Sequence, residues 1–293
     1  MQIELTSKND KSEKVAYNIS GFPLRICDGV LSKFPDYSAI AHWHDDLEFM
    51  YILSGSMQYN INGEIITLHE NDGIFINARQ LHYGFSSTHN ECSFICMLLH
   101  PILLCASPYI EQNYILPILQ NDNLPYLYLH HGKKHEKKIL ELIQTIYNSS
   151  STPLFALKAP SLFFTVWENL YQLSGNINNA SIPYNQHLSL LKSMIDYISN
   201  HYSEKITLDD ICKYGQVGKT TCCNIFQKYT NKSPISYLTD YRLNKSIDLL
   251  LNTDKHISEI CFDVGFSGAS YFAETFHKSH GCTPTQFRSQ QIQ

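Results

Sequence analysis

The sequence predicts a multidomain α+β chain: a small N-terminal β-barrel of jelly-roll type, a helical connector, and a C-terminal all-α domain with two helix-turn-helix motifs. Three observations lead there. At 293 residues the chain exceeds what one core of ordinary size organises. Its apolar period changes from two to 3.6 near residue 109. Near its end a helical unit of about fifty residues is used twice. The expected boundaries are 1–108 for the barrel, 109–174 for the connector, 175–186 for a linker and 187–293 for the helical domain.

The barrel rests on strand and turn chemistry. MQYNINGEIITLHEN, residues 57–71, holds two alternating runs around Asn62-Gly63, a pair that accepts the positive φ values of a type I′ turn. EFMYILSG before it and DGIFINARQLHYGF after it have the length and the aromatic or β-branched content of further antiparallel strands. In the connector, KKILELIQTIYN places Ile139, Leu142, Ile143, Ile146 and Tyr147 on one stripe, and SLFFTVWENLYQL does the same with Phe163, Val166, Trp167, Leu170 and Tyr171. Each stripe needs a partner, either the barrel or a second subunit. SGNINNASIPYNQ, residues 174–186, has little to bury and reads as a linker.

Composition narrows the function classes. Apolar residues make up 43% and charged residues 17%, a globular balance. The opening MQIELTSKNDKSEK has no apolar core ahead of a cleavage site, so a cytoplasmic protein is expected. FICMLLHPILLCA is interrupted by His100 and Pro101 and falls short of the roughly 20 residues that cross a bilayer, so no membrane partner is expected. Nine cysteines without a CxxC pair read as reduced, mostly buried thiols. Residues 1–186 carry 11 basic against 17 acidic side chains, and residues 187–293 carry 11 against 10. Since the second part lacks a strongly basic footprint, a DNA-binding assignment has to rest on motif and geometry.

The repeat supplies them. Within ITLDDICKYGQVGKTTCCNIFQKYTNKSPISYL and HISEICFDVGFSGASYFAETFHKSHGCTPTQF, Ile211-Cys212 recurs as Ile260-Cys261 at 49 residues, and Phe226 and Pro234 recur as Phe276 and Pro284 at 50. Each copy reads as a short helix, a tight turn at Gly215 or Gly265, and a second helix whose apolar positions only seat it. Thr207 and Asp210 form a capping pattern ahead of the first unit. Between the copies, Ser233 caps and Pro234 opens a helix expected to reach about residue 252, a rod of ~28 Å. Successive major-groove faces lie about 34 Å apart, so one subunit can present two recognition helices to adjacent grooves of double-stranded DNA.

With these motifs in view, residues 187–293 resemble the DNA-binding domain of the AraC/XylS family of bacterial transcription regulators, most specifically over 257–288, and YRLNKSIDLLL resembles the family's linker helix. AHWHDDLEFMYILSG and NDGIFINARQLH resemble the cupin sensor domain that many members carry. The resemblance implies a small-molecule effector, often a sugar, a homodimer, and activation of transcription beside RNA polymerase. The candidate DNA-contacting residues are Lys219, Thr220, Thr221, Asn224 and Lys228 in the first copy and Ser270, Glu274 and His277 in the second, each with a solvated or phosphate-facing role as the alternative. The family often has Arg where Asn224 and Glu274 stand. Asn can bond an adenine edge in both directions whereas Glu accepts only from cytosine, so base reading is expected to lean on the first copy. Cys222, at a position where the family usually has Leu, is expected to pack.

His42, His44 and Glu48 match the first metal motif of cupins, and His82 is the candidate from the second. The glycine and proline turn expected before that histidine is replaced by Ala78, Arg79, Gln80 and Leu81. Three uses of these residues are open: a polar wall of an effector pocket with no cofactor, four ligands for Fe, Mn, Ni or Zn, or histidines that serve only the ends of strands. Arg25, Tyr51, Tyr59 and Tyr83 join them as effector-pocket candidates, since sugars favour aromatic faces with polar partners at a barrel mouth. A metal- or redox-responsive regulator is the alternative to a carbohydrate sensor. A cupin metalloenzyme is a remote one, because catalysis has no use for paired helix-turn-helix units.

Overall fold

The computed structural model describes residues 15–175 and 185–290. The N-terminal segment 1–14 and most of the stretch read as a linker lie outside them. The chain divides into two compact units, Met1–Lys33 with Ala41–Tyr184, and Phe34–Ile40 with Asn185–Gln293.

The first unit is built on seven strands: β1 (Leu24–Val30), β2 (Leu47–Ile61), β3 (Glu64–His69), β4 (Gly73–Ile76), β5 (His82–Phe85), β6 (Cys92–Leu99) and β7 (Tyr126–Leu129). The order β1-β6-β2-β4-β7 forms one layer, and β3 and β5 flank the far half of β2, giving the cupin-like arrangement. All pairings are antiparallel. The Asn62-Gly63 hairpin forms as predicted, with φ of 52° and 91°. Two expectations need correction. EFMYILSG and MQYNI are not separate strands but one strand of 15 residues, β2. The region after 108, expected to be wholly helical, contributes β7, whose register with β4 runs from Gly73↔Leu129 to Ile76↔Tyr126.

Short turns α1 (Pro108–Ile110) and α2 (Leu116–Leu119) precede β7, and α3 (Lys134–Ser149) and α4 (Phe155–Ser174) follow it. The two predicted stripes are buried except at their last positions: Ile139, Leu142, Ile143 and Ile146 of α3, with Phe163, Val166, Trp167 and Leu170 of α4, share one core with Leu47, Phe49, Tyr51, Ile95, Met97 and Leu99 of the sheet, while Tyr147 is partly buried and Tyr171 exposed. Their main apolar faces thus cover one side of the sheet. Among the described residues, no helix is long and apolar enough to cross a membrane.

The second unit is helical: α5 (Gln186–His201), α6 (Leu208–Tyr214), α7 (Lys219–Thr230), α8 (Pro234–Asn252), α9 (Ile257–Asp263), α10 (Ala269–His280) and α11 (Pro284–Gln290). The repeat holds element by element: α9 lies 49 residues after α6, and α10 lies 50 after α7. Both capping boxes close, Thr207 with Asp210 and His256 with Glu259. Asn231 and Gly281, equivalent left-handed caps, end α7 and α10. The central rod α8 spans 19 residues with its only proline in the first turn.

The turns differ from expectation in one respect. Gly265 takes a left-handed φ of 86°, but Gly215 lies at −72° and its neighbour Gln216 takes the left-handed place at 52°. Gln216, not Gly215, is the counterpart of Gly265 at the 49-residue offset. Gly215 is required by space instead, since a Cβ there would stand 2.6 Å from Met194 Cγ.

Gly265 meets both constraints at once, because a Cβ would also stand 2.3 Å from the Tyr202 carbonyl oxygen. Gly265→Ala is therefore expected to destabilise the protein by about 2 kcal/mol or more. Gly218→Ala, at φ −71° with nothing within 4 Å of the added methyl, should change stability by less than about 1 kcal/mol. Urea unfolding of the two variants followed by circular dichroism measures the contrast.

Candidate functional site

The geometry of the candidate site begins with an extra residue in β2. Pairing with β6 runs Ile52↔Phe94 and then Ser54↔Ser93, so Leu53 is inserted and the alternation of side chains changes phase. Before the bulge, Leu47, Phe49 and Tyr51 face the helices and Glu48 faces the other way, into the inner side. After it, the odd-numbered Met57, Tyr59 and Ile61 are the ones buried on the inner side, at 2%, 3% and 1% exposure. Gly55 makes the bend possible: its φ is 76°, and a Cβ would stand 2.3 Å from the Glu91 carbonyl oxygen.

The phase change brings Tyr59 to Glu48, and its hydroxyl donates to Glu48 Oε1. On the other carboxylate oxygen two imidazoles converge. His82 Nε2 lies 3.1 Å and His44 Nε2 3.4 Å from Glu48 Oε2. His42 joins through a backbone bridge, its N–H donating to the His82 carbonyl at 3.1 Å and its carbonyl accepting from the His82 N–H at 2.9 Å. The His42 and His82 rings stand 4.5 Å apart. The departure from the cupin turn does not displace His82: Arg79 adopts the left-handed region at φ 63° and its N–H donates to the His44 carbonyl at 2.7 Å.

The tautomers are fixed from behind. His44 Nδ1 lies 2.9 Å from the Asp46 carbonyl oxygen and His82 Nδ1 2.8 Å from that of Gln80. A carbonyl only accepts, so each Nδ1 carries a proton and each Nε2 is left to face the carboxylate. His44 Nε2 is buried without a hydrogen-bond partner. Either a second proton on an imidazole or a bound cation reconciles these lone pairs with the carboxylate. Burial alone would raise the Glu48 carboxyl, but the His82 and His44 imidazoles hold it well below the usual carboxylate range. Burial would lower His44, yet its contact with Glu48 leaves it raised. Burial, then the Glu48 charge, pushes the Tyr59 hydroxyl well above its ordinary value.

One donor atom from each of His42, His44, Glu48 and His82 lies within 4.8 Å of the others. Around a transition metal with bonds of about 2.1 Å such atoms stand roughly 3.4 Å apart, so this set is a slightly open version of a four-ligand site. The residues fit a divalent transition-metal ion, and they equally present donors and acceptors to the hydroxyls of a small polar molecule.

Of the other pocket candidates, Arg25 lies on the inner face by register, opposite Leu98, which in turn pairs with Glu48. Tyr51 and Tyr83 are not brought to the cluster. Tyr51 faces the helices, with its hydroxyl donating to Asn71 Oδ1 at 3.1 Å. Tyr83 pairs in register with Asn60, on the face opposite Tyr59 and His82. Sequence reasoning missed the supporting carbonyls of Asp46 and Gln80, which no side-chain pattern announces. It also missed a second group, Asp72 with His130 and His131, in which His131 Nδ1 lies 2.7 Å and its N–H 3.0 Å from Asp72 Oδ1. His130 and His131 are adjacent in sequence, but Asp72 is 58 positions away from the nearer.

In the helical unit, Lys219, Thr220, Thr221, Asn224 and Lys228 of α7 and Ser270, Glu274 and His277 of α10 are all exposed. The opposite faces are anchored by Cys222, Ile225 and Phe226 and by Phe272 and Phe276. Cys222 packs as expected, its Sγ 3.6 Å from Met194 Sδ. Lys219 Nζ pairs with Asp209 Oδ1 at 2.7 Å, an exposed ion pair that a phosphate can replace at little cost.

Comparison with known proteins adds to this geometry. Residues 28–153 match the family model of the AraC-like ligand binding domain, and residues 211–290 match that of a helix-turn-helix domain. The chain is 34% identical over 253 residues to the HTH-type transcriptional regulator YdeC of Bacillus subtilis, covering 84% of this chain and 85% of that one. It is 23% identical over 263 residues to the melibiose operon regulatory protein of Escherichia coli, covering 87% and 85%. Among solved structures, an apo form of ToxT from Vibrio cholerae aligns with a TM-score of 0.51 at 13% identity over 91% of this chain and 97% of that one, a likeness of fold alone.

The Tyr59 to Glu48 bond gives a direct check on the cluster. Tyr59→Phe leaves a buried carboxylate oxygen without its donor and is expected to cost about 1–3 kcal/mol in urea unfolding of the full chain.

Proposed function

The chain belongs to the AraC family of helix-turn-helix transcriptional regulators, and from that premise we propose that it is an effector-dependent activator whose sensing site is the Glu48-centred cluster. The observation that carries this reading is the set of three imidazoles, one carboxylate and one phenol on the inner face of the sheet, all buried except the half-buried His42, with His44 Nε2 beside Glu48 but without a hydrogen bond. A small polar molecule, of which a carbohydrate is the class proposed, binds there through hydroxyls that hydrogen-bond to His44 Nε2 and the Glu48 carboxylate between the His42 and His82 rings, with Arg25 on the same face. The name of the melibiose operon regulatory protein, a relative across most of the chain, supports that class. A second reading has its own support in the four convergent donor atoms, which suit a divalent transition metal as the effector or as its anchor.

In this proposal the chain works as a homodimer through the 109–174 region, where Leu154 and Leu157 at the start of α4 are 70% and 78% exposed. Effector binding drives the change by its differential affinity for two arrangements of the DNA-binding domains, and the activated dimer acts beside RNA polymerase. On DNA, α7 and α10 enter successive major grooves. Asn224 reads a base edge, Lys219 and Lys228 meet phosphates, and Thr220, Thr221, Ser270, Glu274 and His277 are lesser contacts.

Thermal-shift measurements on the full chain with mono- and disaccharides, and separately with Mn²⁺, Ni²⁺ and Zn²⁺, test the sensing site, because a binder stabilises by mass action. A sugar that raises Tm in the wild type and not in Glu48→Gln is the expected result. A response to metal alone favours the second reading, and ligand shifts retained in Glu48→Gln contradict the site.

The DNA contacts make a separate expectation for fluorescence-anisotropy titrations. Asn224→Ala should weaken the specific site by about 1–3 kcal/mol and relax preference at one base pair. Lys228→Ala should weaken all sequences alike and reduce the salt slope by about one. For the wild type, about six phosphate contacts correspond to a slope near −5.

A further inference from the structure

Cys27 and Cys96 stand 69 positions apart in sequence and directly opposite each other in the antiparallel pairing of β1 with β6. The alternation of both strands puts them on one face. Leu24 and Ile26 of β1 and Ile95, Met97 and Leu99 of β6 pack toward the helices, so Cys27 and Cys96 point to the inner side. Cys27 Sγ lies 3.8 Å from the Cys96 carbonyl oxygen. Residues directly opposite in an antiparallel pair have Cα atoms about 4.5–5.5 Å apart, inside the range of about 4.4–6.8 Å that a disulfide spans. Both thiols are free and neither is fully buried.

We propose that this pair is a peroxide-reactive modification site, with Cys27 as the thiol that attacks a hydroperoxide and Cys96 as the thiol that resolves the product to a disulfide. The Cys27 thiolate attacks one peroxide oxygen. The O–O bond breaks, Cys27 becomes a sulfenic acid, and the departing oxygen takes up a proton to leave as an alcohol or water. The Cys96 thiol then attacks the sulfenic sulfur, forming the S–S bond and releasing water. The peroxide is reduced by two electrons and the two thiols are oxidised by two.

The local electrostatics suit this division of roles. The hydrogen bond with the Cys96 thiol lowers the Cys27 thiol, opposed by burial and the Glu48 charge and helped by the Arg25 guanidinium. Its partner Cys96 is raised by the same hydrogen bond and by burial. Elsewhere burial makes thiols poorer nucleophiles, pushing Cys92 up to about 12 and Cys105 up to about 11.

The test uses the full chain, reduced and then freed of reductant, treated with equimolar hydrogen peroxide at pH 7, alkylated, and mapped by peptide mass spectrometry. The expected product is a Cys27–Cys96 disulfide with two of the nine thiols lost, reversible by dithiothreitol. Cys27 should react at least about tenfold faster than Cys92. In Cys96→Ser, dimedone should trap the sulfenic acid on Cys27; in Cys27→Ser, Cys96 should stay reduced. Oxidation of Cys27 no faster than Cys92, a disulfide joining other cysteines, or no dimedone adduct in Cys96→Ser would overturn the proposal.

Discussion

The inserted residue at Leu53 is the constraint on which the sensor depends. A strand of 15 residues without it would keep one parity throughout, and Tyr59 would face the side opposite Glu48. With it, the first half of β2 buries Leu47, Phe49 and Tyr51 under α3 and α4 while turning Glu48 inward, and the second half turns Tyr59 to meet it. The same strand therefore completes the hydrophobic core on one side and the polar cluster on the other. A carboxylate buried to 2% exposure is tolerated only because one phenol and two imidazoles are aimed at it.

The helical unit obeys a different economy. Each helix-turn-helix buries just enough side chain to seat its second helix, Cys222, Ile225 and Phe226 in one and Phe272 and Phe276 in the other. That leaves the opposite faces of α7 and α10 exposed for a groove. The two copies are close in backbone and unlike in surface chemistry. Asn224 offers both a donor and an acceptor, whereas Glu274 offers acceptors alone beside a polyanion. The proposal that specificity concentrates in the first copy rests on that difference.

Much of this was legible in the sequence because its causes are local. Asn62-Gly63 specifies its turn by φ, Thr207 with Asp210 specifies a helix start, and the 49- and 50-residue offsets specify a duplicated unit. His42, His44 and Glu48 were readable as a group because seven consecutive positions carry them, and His82 because a second motif points to it. What was not legible depends on pairing between distant segments. The bulge reverses side-chain parity, so the turn of Tyr59 toward Glu48 cannot be counted from the sequence, and the placement of Tyr83 away from the cluster depends on the register of β5 with β2. β7 is four residues long and owes its strand conformation to β4. Cys27 and Cys96 become neighbours only through the register of β1 and β6.

Linkage between the two units is the central claim, and DNA affinity measured with and without a ligand tests it most directly. The probe is whichever sugar or metal ion raises the melting temperature of the wild-type protein, and the readout is the Kd for one operator duplex at fixed salt. Wild type should change affinity by about fivefold or more on ligand addition, while Glu48→Gln should bind the duplex equally well in either condition. A Glu48→Gln protein that still responds to the ligand as the wild type does would contradict the account.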